Sequence, residues 1–174
     1  MSQLLHYSSI EQGHWSFYIV CSQDALCFVG SSPASLKEMT EWVSNHFSDA
    51  ELIEDDKALD PFRKEFQSYL TKNKQHFTFD TQFLYGTDFQ KKVWNALRTI
   101  PYGEQTTYGE LAVSIGYSSK SARAVGTALK ANPLLIVYPC HRVVPKTSLS
   151  KGFRGGLIMK EQLLALEDTS ASLF

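Results

Sequence analysis

TYGELAVSIGYSSKSARAVGTALKANP, residues 107–133, divides itself into two short helices. Thr107 and Glu110 have the form of a capping box opening a helix through Ile115, in which each side chain bonds the other residue's backbone N–H. Gly116 breaks that helix, and Ser118 or Ser119 caps a second one running to about Ala131. Asn132-Pro133 ends it, because the residue before a proline is pushed out of helical geometry. Two short helices joined by a glycine-containing turn read as a helix-turn-helix, whose second helix usually enters a DNA groove. Ser119, Ser121, Ala122, Ala124, Gly126, Thr127 and Ala128 are small, so this backbone is suited to close approach to a phosphate chain. Arg123 stands out from them, either to follow phosphates or fill a gap in a base stack, or as an ordinary surface salt bridge.

Upstream, Phe89, Val93, Leu97 and Ile100 share one helical face after Thr87-Asp88, and Pro101-Tyr102-Gly103 stops the helix. Downstream, Pro139-Cys140-His141-Arg142-Val143 sets a cysteine beside a histidine after an apolar run. A thiol reacts as thiolate, and its ordinary pKa of ~8.5 falls beside cations or backbone N–H donors; His141 and Arg142 are candidates for that role. A buried structural cysteine is the competing reading.

The front of the chain has a different character. Trp15, Phe17, Ile19 and Cys21 alternate, the turn-like Ser22-Gln23-Asp24 follows, and Ala25 to Val29 completes a hairpin. Leu36, Met39, Val43 and Phe47 fall at helical spacing. Asp60-Pro61 opens a second helix with Phe62, Phe66 and Tyr69 inward, and Phe77, Phe79, Thr81 and Phe83 alternate as a further strand. The expected fold class is α+β: residues 1–85 form a small structural domain with a short antiparallel sheet, and 86–174 form a mostly helical, winged-helix-like domain containing the helix-turn-helix. Cys21 and Cys27, with His6, His14 or His76, match no compact zinc-ligand spacing, so no metal is expected.

The chain has 174 residues and 43% apolar content, enough for a substantial core. No apolar run approaches the ~20 residues that span a bilayer, and the first ten residues lack a signal-peptide pattern. With three cysteines at unrelated spacings, reduced thiols and a cytosolic location are expected. The net charge of −1 hides −6 before Gly86 and +5 from Gly86 onward, which points to a polyanion partner for the second half alone.

Four stretches, GTDFQKKVWNALRTIPYGEQTTYGELA, SARAVGTALKANP, YPCHRVVP and GFRGGLIMKEQLLALE, occur in order across nearly all of residues 86–167. Together they resemble the O6-alkylguanine-DNA alkyltransferase family, suicide proteins that remove alkyl groups from guanine. The resemblance implies that Cys140 accepts the alkyl group, that His141 takes its proton through a water with Glu167 behind it, and that Asn132 ties the helix-turn-helix to the cysteine loop. Tyr108 would donate a proton or hydrogen bond as guanine leaves. Arg123 would hold the space left by a flipped base, with Ser119, Ser121, Ala122 and Thr127 against the minor groove of double-stranded DNA. Tyr108, Leu129, Val143, Phe153 and Arg154 would surround the substrate. No cofactor is implied; the protein is expected to act as a monomer, with cooperative assembly on DNA and activity on O4-alkylthymine open.

Phe153 stands where many relatives have tyrosine, Arg154 where some have serine, and the loop 146–151 lacks a glycine often found there. These departures bear on the tolerance of bulky adducts. Glu167 otherwise reads as a solvated helix end. The competing functions are a lesion-binding relative that does not repair, against which Cys140 argues, a helix-turn-helix regulator, and a cysteine hydrolase using Cys140 and His141.

Overall fold

The computed structural model describes residues 3–146 and 153–169. The chain divides into two compact units, Met1–Tyr85 and Gly86–Phe174. Among the described residues no helix is long and apolar enough to cross a membrane.

In the first unit, strands β1 (Gln3–Gln12), β2 (Trp15–Ser22), β3 (Ala25–Val29) and β4 (Ala50–Glu54) form one sheet in the order β3-β2-β1-β4. The β2–β3 hairpin lies where the alternation predicts it. The sheet is mixed rather than antiparallel, because β4 pairs with β1 in parallel. Successive strand side chains point to opposite faces. Phe17 accordingly meets Phe66 of helix α2 (Asp56–Leu70) edge to face at 5.4 Å, while Val20 joins Met39, Trp42 and Val43 of helix α1 (Leu36–His46) in a buried cluster.

Leu36, which opens α1, is 52% exposed. Two details of the expected front segment are corrected. Helix α2 opens at Asp55, whose carboxylate accepts the Ala58 N–H at 3.0 Å, so Pro61 lies inside the helix. Pro61 and Lys57 both face solvent, where water takes the carbonyl that proline's missing N–H leaves unpaired. Phe77 to Phe83 form no strand beyond a single bridge from Thr81 to Leu26. The rings of Phe77 and Phe79 instead pack on Phe66 at 5.0 and 5.8 Å, and that aromatic burial outweighs ladder pairing. Cys21 and Cys27 are buried free thiols, and burial pushes Cys21 up to about 11.

In the second unit, helix α3 (Asp88–Leu97) and helix α4 (Tyr108–Ser114) both begin with complete capping boxes, Thr87 with Gln90 and Thr107 with Glu110. Gly86, at φ +128°, lies so close to Trp94 that an added Cβ would meet the indole at 2.7 Å. A 3-10 turn, Ser119–Ser121, precedes helix α5 (Ala122–Lys130); Ser118 caps this turn rather than α5 itself. A two-stranded parallel ladder joins β5 (Thr106–Thr107) to β6 (Val143–Val144), and helix α6 (Leu157–Glu167) completes the unit. The loop beyond Lys146, including the missing-glycine position, lies outside the described residues.

Candidate active site

Between α5 and Cys140 the chain runs buried through Leu134, Leu135, Ile136, Val137 and Tyr138. Ile136 adopts φ +71°, a conformation that costs a β-branched residue roughly 1–3 kcal/mol and persists only where the surroundings over-determine it. Two backbone bonds fold the loop there, Val137 N–H to the Leu135 carbonyl at 2.8 Å and Tyr138 N–H to that of Leu134 at 3.0 Å. Asn132, fully buried, fastens the loop: its amide donates to the Tyr138 carbonyl at 3.0 Å and to Cys140 Sγ at 3.4 Å, and its Oδ1 accepts the Leu134 N–H at 3.0 Å.

Cys140 opens a 3-10 turn, Cys140–Arg142, and is 3% exposed. His141 directs Nε2 at Glu167 Oε2, 2.9 Å away. Glu167 is gripped at the same time by Arg142, through Nε to Oε1 and Nη2 to Oε2, each at 2.8 Å. Arg142 spends Nη1 on the Ile100 carbonyl at 2.6 Å and lies over the Tyr102 ring. Burial alone would raise the Glu167 carboxyl, but the bonds from His141 and Arg142 prevail and hold it at about 2. An ionised carboxylate only accepts, so Nε2 of His141 carries the hydrogen and Nδ1 holds the lone pair. That Nδ1 is buried with no partner among the described residues. Burial pulls the imidazole below its ordinary pKa, leaving it neutral and able to take a proton.

Burial also pushes the Cys140 thiol up, against the Asn132 amide and the cations Arg154 and Lys160. The expectation that His141 and Arg142 supply the charge is therefore corrected: His141 is neutral and Arg142 is neutralised by Glu167. Tyr108, the first residue of α4, is half-buried, and burial followed by the Cys140 charge keeps its hydroxyl protonated, hence able to donate. Gly126 of α5 lies against the Tyr108 ring, where an added Cβ would stand 3.7 Å from it.

Of the small residues on the second helix, Ala128 faces inward at 3% exposure, and its carbonyl takes the Trp94 indole N–H at 2.8 Å. Ser119, Arg123, Ala124 and Thr127 are exposed, and Ser121 and Ala122 half-buried. The Arg123 guanidinium has no partner among the described residues, the outcome the salt-bridge alternative did not anticipate. Leu129 and Val143 are buried at 3% and 0%. Phe153 is half-buried. Arg154 reaches back to the α5 exit, donating to the carbonyls of Asn132 at 3.0 Å and Pro133 at 3.3 Å, so it braces the loop that carries the cysteine.

A family model for the 6-O-methylguanine DNA methyltransferase DNA-binding domain matches residues 88–169. The inducible methylated-DNA–protein-cysteine methyltransferase of Bacillus subtilis is 41% identical over 168 residues, covering 97% of this chain and 93% of that protein. The chain belongs to this methyltransferase family. The O6-methylguanine methyltransferase of Mycobacterium tuberculosis superposes with a TM-score of 0.80 at 31% identity, over 95% of this chain and 93% of that one. Mycobacterium tuberculosis OGT in complex with DNA gives 0.79 at 32%, over 94% and 93%. Membership accounts for the fold class and places the Cys140 cluster in the half that the methyltransferase domain model covers.

Arg142 was singled out in the sequence as a cation for the thiol, but nothing beyond its adjacency to His141 marked it as the partner of Glu167; Lys160 was missed altogether. Lys160, 2% exposed with Nζ on the Val143 carbonyl at 2.7 Å, had one available signal: it is three residues from Leu163 and seven from Glu167, which puts all three on one face of α6.

Proposed function

We propose that this methyltransferase reverses DNA alkylation directly by moving the alkyl group of O6-alkylguanine onto Cys140, once per molecule. The observation that carries the reading is the buried, unpartnered Nδ1 of His141, in the residue next to Cys140 and backed through Nε2 by an ionised Glu167. Neighbouring side chains rarely face one another, so a water bridges Cys140 and Nδ1. The thiol proton passes through it to the imidazole, and Glu167 stabilises the imidazolium. The thiolate attacks the saturated carbon on O6 in line, the S–C bond forms as the C–O bond breaks, and the electron pair leaves with guanine. Tyr108 hydrogen-bonds or protonates that leaving group. The product thioether resists displacement by water, so the protein is consumed.

DNA is the partner. The target atom is shielded inside a duplex, so the nucleotide is flipped out at a cost of a few kcal/mol. Exposed Arg123, at the start of α5, fills the vacated stack from the minor groove, where Ala124 and Thr127 permit close approach. Incubation with a duplex containing O6-methylguanine is expected to add one methyl group to the peptide bearing Cys140, stoichiometrically and without turnover. Unmodified peptide beside unrepaired DNA would instead identify a lesion binder. Arg123→Ala is expected to slow repair in duplex at least tenfold, an effect of about 1.4 kcal/mol, with little effect on the free alkylated base. Equal slowing of both substrates would remove its role in the stack.

A further inference from the structure

Lys160 is a buried cation that the transfer chemistry leaves unused. Its Nζ donates to the Val143 carbonyl at 2.7 Å, and the Val143 N–H closes the 3-10 turn on the Cys140 carbonyl. The ammonium is thus fixed one turn of backbone from the residue that bears the sulfur. Among the described residues no carboxylate pairs with it: Glu167, on the same face of α6, is occupied by His141 and Arg142. An ammonium 2% exposed against a neutral carbonyl is poorly compensated. A negative charge forming nearby would compensate it.

We propose that Lys160 is a positioning residue for the transfer, acting through Cys140 as the fixed counter-charge of the thiolate. This rests on Cys140 being the acceptor. Lys160 keeps its own proton throughout; the thiol proton goes to His141, and sulfur and ammonium neutralise each other until alkylation makes the sulfur a neutral thioether. Each group already responds to the other, Cys140 being lowered by Lys160 and Lys160 raised by Cys140, against the opposing effect of burial on both. The remaining charged or titratable groups around the sulfur are His141 and Arg142 on the turn, Glu167 on α6, Arg154 just before that helix and Tyr108 on α4. Arg142 is cancelled by Glu167, which leaves Lys160 and Arg154 as the cations acting on the thiolate.

The test is the pH profile of Cys140 carbamidomethylation by iodoacetamide, read by mass spectrometry. Lys160→Gln keeps a donor for the Val143 carbonyl without the charge, and Lys160→Met removes both. Either is expected to raise the profile's midpoint by about one pH unit or more, the usual effect of a close opposite charge, while Lys160→Arg keeps it near the original. An unchanged midpoint in a folded Gln or Met variant overturns the proposal. The unmutated protein supplies a readout that needs no variant. After repair has methylated Cys140, Lys160 is expected to lose its proton at lower pH, followed by its side-chain Cε NMR shift, and an unchanged titration beside confirmed methyl uptake overturns the counter-charge alone. Absence of uptake refutes the acceptor role, and the iodoacetamide profiles still decide the counter-charge.

Discussion

Cys140→Ala is expected to abolish methyl transfer completely while leaving the fold and the affinity for alkylated DNA in place. The hydrogen bonds that set the turn at this residue are backbone ones, Cys140 N–H to the Tyr138 carbonyl at 2.8 Å and Val143 N–H to the Cys140 carbonyl. Neither uses the thiol. Asn132 loses its 3.4 Å contact to sulfur, a weak acceptor, but its amide still donates to the Tyr138 carbonyl at 3.0 Å, so the bond that fastens the loop survives. Removing one small buried group costs on the order of 1 kcal/mol, well inside the margin of a domain stable by about 5–15 kcal/mol. Arg123, Ser119 and Thr127, the exposed residues assigned to DNA, are untouched. Methyl uptake measured by mass and binding measured by fluorescence anisotropy on the same duplex separate the two effects. Lost affinity together with a lowered unfolding midpoint would show that the cysteine supports the fold instead.

The second large effect is expected at Glu167. Glu167→Ala strips a 7%-exposed guanidinium of both side-chain acceptors and leaves the His141 Nε2–H with none. Breaking a buried pair by deleting one partner costs about 3–5 kcal/mol, since the remaining charge is neither paired nor hydrated. The midpoint of urea unfolding should fall accordingly, and transfer should slow because the imidazolium loses its support. Acid should reproduce part of this in the unmutated protein. Glu167 has a folded pKa of about 2 against an ordinary 4.5, so its contribution is present above about 4.5 and lost as pH falls through about 2. A carboxyl so held contributes on the order of 3 kcal/mol, in line with the deletion. His141 acts in the same direction: its folded pKa is depressed by burial, so the unfolded chain binds its proton first and stability begins to fall below the ordinary histidine range. Urea midpoints at neutral, mildly acidic and strongly acidic pH check the sign. A midpoint flat across that range, or unaffected by Glu167→Ala, would mean that the cluster contributes nothing to stability.

The residues of the site divide by how far each reaches for its partners. The capping box at Thr107, the stop at Asn132-Pro133 and the β2–β3 hairpin were legible in the sequence, because each is set by hydrogen bonds or side-chain alternation spanning a few residues. The order of four motifs was equally legible and led to the family. Glu167 was not legible on its own residues. It ends an apolar helix like any solvated carboxylate, and only the arrival of His141 and Arg142 from 26 and 25 positions away makes it a buried anion.

The same limit explains the remaining differences. The pairing of β4 with β1 depends on which sheet edge remains open, and the loss of the Phe77–Phe83 strand on an aromatic face that α2 presents. Pro61 is tolerated within α2 because its side of the helix is wet. By itself the sequence determined the Thr107 capping box, the β2–β3 hairpin, the cysteine motif and the kinship. The tertiary structure alone decided the charge state of the site: burial acts oppositely on Cys140 and Lys160, and whether it is offset depends on partners that no local spacing specifies.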